Sequence, residues 1–299
     1  MAYSKKRTSR AKKKSSGNAT QTQVNLLLDG SEDTNAVIRT DRVLSQMNHQ
    51  LYRQSRNYCV KLDLDPSENL TVDVYALVDT WWLRKAYAFA KSVSDKNLME
   101  ELEQAGATKA RWHDFRVDHG LGFAFQKDMV AGGSTTPGTW VAYTGNQEYI
   151  MSQVHDAGST QRTFAFLGAG SATEYNIIDE YDLTANTDRT PAVSLSNVAY
   201  DGLDDAIDDG AFDHVKADGN DPPYNKDNLE NGVLVRIATL TAAPTGPQGY
   251  TKLSTGYFNA PAGLIVLQSS TNMTNQYPQL TLSVKEGNYK GVHAPNMLE

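Results

Sequence analysis

Through most of this chain apolar and polar positions alternate, and only one long stretch switches to a helical period. Tyr58 to Leu64 alternates, Asp65-Pro66-Ser67-Glu68-Asn69 has turn composition, and Leu70 to Trp82 alternates again with Val72, Val74, Ala76 and Val78 on one face. This spacing predicts a β-hairpin. From Leu83 the period lengthens. Ala86, Phe89, Ala90 and Val93 form one stripe in a run of helix formers that ends at Gly106, while Ser94 and Asp95 stand where a second helix can be capped. The segment reads as two short helices or one broken helix.

Strand patterns return at Arg111 to Val117, Leu121 to Gln126 and Thr139 to Tyr143, with a Gly/Ser/Thr/Pro loop at 131–138. Residues 148–155 fit either a helix or a strand, whereas Arg162 to Leu167 and Glu174 to Leu183 read as strands. Four more strands close the chain: Gly232 to Thr241, Tyr250 to Phe258, Leu264 to Gln268 and Leu280 to Glu286, joined by turns rich in Pro and Gly. Before residue 51 the pattern is sparser. Val24 to Leu28 is a short strand or a strap along a neighbour, and residues 40–50 read as a short helix. The fold class expected is therefore all-β: an eight-stranded antiparallel jelly-roll sandwich with a short helical insertion after the second strand. The divisions expected are a basic arm and linker at 1–22, a strap or short helix at 23–50, and a shell domain at 51–299 with a long acidic loop at 201–231.

Composition agrees with many short strands and turns. The 299 residues include 15 Tyr and 22 Gly, enough chain for a sizeable core. No apolar run reaches membrane-spanning length, so no membrane insertion is expected. The one cysteine, Cys59, excludes an intrachain disulfide framework and a multi-cysteine zinc site, and its alternating surroundings make it a small strand residue.

Charge changes the picture most. Lys5, Lys6, Arg7, Arg10, Lys12, Lys13 and Lys14 crowd into ten positions without an acidic or large apolar residue between them, so self-repulsion predicts a disordered arm. Removing those seven from the 28 Lys and Arg leaves 21 against 35 Asp and Glu, a balance of −14 on the remainder. A flexible cationic tail neutralises phosphates without reading sequence, which suits packaging of nucleic acid; a nuclear-import signal overlaps the same residues. No apolar h-region follows the charges, so the start does not read as a secretory leader.

Other candidate chemistry is thin. Gly168-Ala169-Gly170-Ser171 lacks the Gly-Lys-Ser/Thr ending of a phosphate loop, and the six histidines show no i, i+4 pair flanking a Glu. Arg111-Trp112-His113-Asp114-Phe115-Arg116 mixes cations and aromatics on both faces of an extended strand, so Arg111 and Arg116 join the arm as candidate nucleic-acid contacts, with an ordinary strand end as the plainer reading. Asp204, Asp205, Asp208 and Asp209 are candidate calcium ligands, most usefully at a subunit boundary, as are Asp63 and Asp65; neither set has EF-hand spacing. Calcium apart, no cofactor is indicated.

A basic arm, a polar linker, strands with a helical insertion and long loops together resemble the single jelly-roll capsid proteins of small icosahedral viruses. Thr80-Trp81-Trp82-Leu83-Arg84-Lys85-Ala86, followed by the segment 111–116, is similar to capsid proteins of circular, Rep-encoding single-stranded DNA viruses. The resemblance implies an icosahedral homo-oligomer with strands in the shell, loops outside and at symmetry contacts, and the arm inside on a single-stranded DNA genome, with the protein in the virion and in the host nucleus during assembly. A host receptor is implied but not identifiable. The arm departs from circovirus-like arms in being shorter and poorer in Arg. Trp81, Trp82, Trp112 and Trp140 are candidate subunit contacts.

The expectation is thus a non-enzymatic capsid protein. A cellular β-sandwich binding module, carbohydrate-binding and carrying a nuclear-localisation tail, is the alternative. A hydrolase using the 201–209 acids ranks third.

Overall fold

The chain folds into mostly β structure, built on two sheets whose inward side chains share one core. The computed structural model describes residues 19–27, 35–64, 70–120, 139–140, 151–155, 161–167, 174–185, 233–242, 252–269 and 279–298. In the first sheet the strands lie in the order β10 (Phe258–Pro261), β3 (Asn57–Leu64), β12 (Gln279–Val284), β1 (Gln23–Leu27) and β5 (Thr139–Trp140). All neighbours are antiparallel except β1 and β5. The second sheet runs β2 (Asn35–Arg39), β11 (Leu264–Ser269), β4 (Leu70–Leu77) and β9 (Leu234–Ala242), antiparallel throughout.

The second sheet is covered on both faces. Ile38, Val72, Val74, Leu240, Ile265 and Leu267 point into the core shared with Leu26, Val60, Leu62, Leu280 and Leu282 of the first sheet. Val37, Tyr75, Leu77, Leu264 and Val266 point the other way, into a second core beneath helix α2 (Trp81–Ala105). This is why Leu264-Ile265-Val266-Leu267 is continuously apolar, whereas β12, exposed on one side, alternates. Where Val74 pairs with Ala238 and Tyr75 with Arg236, Ile237 is a bulge in β9, and it lets Leu234 enter the second core while Leu240 enters the first.

Several expectations change. β3 and β4 are not a hairpin: they lie in different sheets, because alternation marks a buried face and not a partner. The helical insertion follows the fourth strand and not the second, since Gln23–Leu27 and Asn35–Arg39 are strands of the two sheets within the segment read as a strap. Helix α1 (Thr40–Asn48) is where residues 40–50 predict one. α2 is a single helix. Thr80 Oγ1 accepts from the Leu83 backbone N–H at its start, and Gly106 at φ 59° closes it. Ser94 is buried within it, and Asp95 takes salt bridges from Lys91 and Lys109 instead of capping a second helix.

Beyond α2 a smaller sheet packs on the second core: β6 (Gln153–His155), β7 (Gln161–Ala165) and β8 (Glu174–Asn176). The strand expected at Glu174 to Leu183 stops at Asn176, and helix α3 (Ile177–Ala185) follows. Asn176 Oδ1 accepts from the backbone N–H groups of Ile178 and Asp179, and its amide donates to the Asp179 carboxylate; this cap outweighs the β propensity of Tyr175, Ile177 and Ile178. Of the strand expected at Tyr250 to Phe258, the described residues 252–257 are largely irregular, with strand β10 beginning at Phe258. A last short pair, β13 (Glu286–Gly287) and β14 (Gly291–Val292), closes the chain.

The smaller sheet is tied to the segment after α2 at Gly120. Leu167 N–H donates to His119 O at 3.0 Å and Phe166 N–H to Asp118 O at 2.9 Å. Gly120 has φ 73°, and a Cβ there would stand 1.6 Å from the Leu167 carbonyl oxygen. Gly120→Ala should therefore cost roughly 3 kcal/mol or more in chemical denaturation; a loss below about 1 kcal/mol would mean that this contact does not hold the two segments together.

Candidate nucleic-acid interface

The arm cations Lys5, Lys6, Arg7, Arg10, Lys12, Lys13 and Lys14 lie outside the described residues, which begin at Ala19. What the structure shows is how the arm's root is fixed. Thr20 Oγ1 donates to the Lys290 carbonyl at 3.2 Å, Gln21 N–H donates to Asn48 Oδ1 at 2.8 Å, and Asn48 Nδ2 donates back to Gln21 O at 3.0 Å. Val284 N–H then donates to Thr22 O at 2.7 Å, leading the chain into β1. Gly291, at φ 92°, lets this happen: a Cβ there would meet Thr20 Oγ1 at 2.3 Å. The arm therefore leaves the folded chain beside Tyr52, Arg53, Arg56, Tyr289 and Lys290. Sequence spacing does not single these residues out, because the last two lie more than 230 positions from the others; the adjacent Tyr289-Lys290 is the one local signal.

Arg111 and Arg116 part company in the fold. Residues 111–117 are not a strand; they form a turn and an extended run anchored by side-chain contacts. Arg111 is exposed, with its guanidinium 5.1 Å from the Trp112 ring, and Trp112 is 59% exposed. That pair keeps a cation and an aromatic face at the surface. Arg116 is buried, 8% exposed, with its backbone bonded both ways to Ser152. It is thus inaccessible as a nucleic-acid contact in this fold. Trp81 is exposed, Trp82 is buried, and the side chain of Trp140 lies outside the described residues.

The candidate calcium ligands Asp204, Asp205, Asp208 and Asp209 lie outside the described residues, as do Asp65 and the Gly168 to Ser171 turn. Asp63 is salt-bridged to Lys61 at 2.6 Å. Among the described residues no group of three His, Cys, Asp or Glu side chains could hold a metal ion. Cys59 is buried in β3, and burial pushes its thiol up.

Arg116 belongs instead to a buried polar seam between the second sheet, α1 and the segment 114–119. Arg39, 2% exposed, is salt-bridged to Asp118 and donates to Met151 Sδ at 3.2 Å. Burial alone would raise the Asp118 carboxyl; the charges of Arg39 and His119 outweigh it and hold the group below its ordinary value. Gln54 reads the backbone of Val117 with both ends of its amide, at 2.8 and 2.6 Å, and its own N–H donates to Asp114. Asp41, in the first turn of α1, is fully buried beside the Ala260–Gly263 turn, whose Gly263 carbonyl accepts from Thr40 N–H at 2.8 Å.

Burial raises Asp41 from 3.8 to about 7; Arg39 and Arg116 lower it in part, Asp114 adds to the rise and the Arg42 backbone N–H lowers it. An acid whose folded value is raised contributes most below its unfolded value, and the contribution is lost as pH rises to the folded one. The stability of the wild type relative to Asp41→Asn should therefore fall between pH 3.8 and about 7, by up to roughly 1.4 kcal/mol per pH unit, and stay level above. Parallel curves for the two proteins across that range, measured by urea denaturation, would show that Asp41 does not titrate there.

Comparison with known protein families, with curated proteins and with solved structures finds no match for this chain.

Proposed function

We propose that this chain is a structural capsid protein whose copies close an icosahedral shell and package a single-stranded DNA genome through Lys5 to Lys14. The observation that carries the reading is strand order. Counting β1, β2, β3, β4, β9, β10, β11 and β12 as first to eighth, one sheet reads sixth, third, eighth, first and the other second, seventh, fourth, fifth. Every one of these neighbours is antiparallel. Two interleaved Greek keys with this order make a jelly roll, an architecture that capsid proteins share with lectins and cupins. The insertion then sits between the fourth and fifth strands, and β5 is an added edge.

What favours a capsid among jelly rolls is the cationic arm, which precedes the first strand in sequence by a short polar linker. Exposed apolar side chains supply material for subunit contacts: Trp81, Phe89 and Met99 on α2, and Tyr257 before β10. One observation favours the binding-module reading. A shallow pocket lined by Asp79, Trp81, Arg84, Lys85, Met297 and Leu298 sets an indole beside charged groups, with Arg84 bonded twice to Asp79, as a sugar site does. Particle size separates the two readings.

Electron microscopy and the ratio of absorbance at 260 and 280 nm supply the test. The full-length protein should form uniform round particles with nucleic-acid absorbance, and removal of residues 1–16 should leave shells whose ratio falls to that of protein. Small dispersed molecules under varied salt and calcium would overturn the capsid reading; unchanged packaging after the deletion would remove the arm from the mechanism.

A further inference from the structure

The junction between arm and folded chain is itself cationic. The Arg56 guanidinium lies 4.2 Å over the Tyr289 ring, and the Lys290 ammonium is 5.7 Å from that ring and 5.6 Å from the ring of Tyr52. The two rings meet edge to face at 6.0 Å. Hydrogen bonds hold the group in place: Arg53 N–H donates to Tyr289 Oη at 3.2 Å, Tyr52 Oη donates to Lys290 O at 2.9 Å, and Lys290 Nζ donates to Leu51 O. Arg53 is salt-bridged to Asp114 at 3.0 Å, with a side chain that is 49% exposed over a carboxylate that is 3% exposed. That carboxylate therefore supports the patch from beneath and presents little negative charge to solvent.

Like charges gathered this closely repel one another. Lys290 feels it: burial first, then the charge of Arg53, lowers its pKa, with Asp114 raising it in part and Arg56 lowering it further. A bound polyanion relieves that repulsion, and arginine forks match phosphate geometry. The Lys290 carbonyl also accepts from Thr20, the root of the arm. Lys14 precedes Thr20 by six residues, which span at most about 20 Å when extended.

We propose that Arg53, Arg56 and Lys290, set around Tyr289, form a phosphate-binding patch that takes the backbone of single-stranded nucleic acid captured by the arm. The inference rests on the packaging reading above. Contact is with phosphates and carries no sequence preference. Tyr289 and Tyr52 act as positioning residues, holding the cations in a fixed array.

The test is fluorescence anisotropy of a labelled thirty-nucleotide oligo(dT) with the full-length, nucleic-acid-free protein at several salt concentrations. Arg56→Gln with Lys290→Gln should lower the slope of log affinity against log salt by about 1.4, at about 0.7 per phosphate contact, and weaken binding about tenfold at 0.1 M salt. Arg56→Lys with Lys290→Arg, which keeps both charges, should retain the wild-type slope. Lys96→Gln with Lys252→Gln, which removes two exposed charges outside the patch, should retain it too. If the double glutamine variant loses its circular dichroism, Lys290→Gln alone, at an exposed side chain, carries the test with half the slope change. A wild-type slope in the patch variant, alongside loss of binding in Lys12→Gln/Lys13→Gln/Lys14→Gln, would overturn the patch and leave the arm reading standing. No binding by the wild type would overturn both.

Discussion

The second sheet buries apolar side chains on both of its faces, and the rest of the chain is arranged around that constraint. Each of its strands must place alternate residues into two different cores, one shared with the first sheet and one roofed by α2, α3 and the smaller sheet. At roughly 25 cal/mol per Å² of apolar surface, a side chain such as Leu267 or Val266 contributes about 2 kcal/mol, and a charge substituted at Val74, Ala76, Ile265 or Val266, all buried, would have no solvent to reach. The long segment between β4 and β9 is thus part of the fold's foundation: without α2 and its neighbours, Val37, Tyr75, Leu77, Leu264 and Val266 would form an exposed apolar surface.

That roof is fixed in register by polar contacts more than by shape. Apolar packing is non-directional, whereas the Arg39 and Asp118 pair, the two-ended grip of Gln54 on Val117, and the Arg53 and Asp114 pair each accept one alignment of the segment 114–119. Buried ions are expensive, and their net effect on stability is often small. Their consequence here is positional. The seam lies between the α1 start, the Ala260–Gly263 turn and the insertion, and Asp41 sits within it among the charges of Arg39, Arg116 and Asp114, with Tyr58 and Tyr87 also within its field.

Most strands were legible because a half-buried strand writes its own alternation, as in Tyr58 to Leu64 and Leu280 to Val284, and Gly106 marked the end of α2. Partnership was not legible. The segment 65–69 has the composition of a hairpin loop, yet the strands on either side of it lie in different sheets, since nothing local distinguishes a hairpin from a crossing between layers. Helix α3 is not legible from propensity, because Tyr175, Ile177 and Ile178 favour strands and only the Asn176 and Asp179 spacing signals its cap. Arg116 looked like a surface cation for a similar reason. Its backbone is bonded to Ser152 and its charge acts on the buried Asp41, contacts that no short-range pattern encodes. The patch at the arm's root lay beyond reach altogether, because it assembles from residues near 50 and near 290.

Charge distribution links the two halves of the proposed mechanism. A body with a balance of −14 repels a polyanion at a distance, and attraction is restored only within a Debye length of a local cationic surface, about 8 Å at physiological salt. A seven-cation arm of some twenty residues reaches well past that length, so in the proposed shell it makes the first contact. The root patch acts afterwards and at short range. Its rigid array of three cations loses little entropy on binding, where the arm loses much. Ten cations per copy in a shell of about sixty would neutralise roughly six hundred phosphates, still short of a genome of a few thousand nucleotides. In the proposed shell either more copies or small cations would balance the remainder, and the packed state would be salt-dependent through both the genome and the arm.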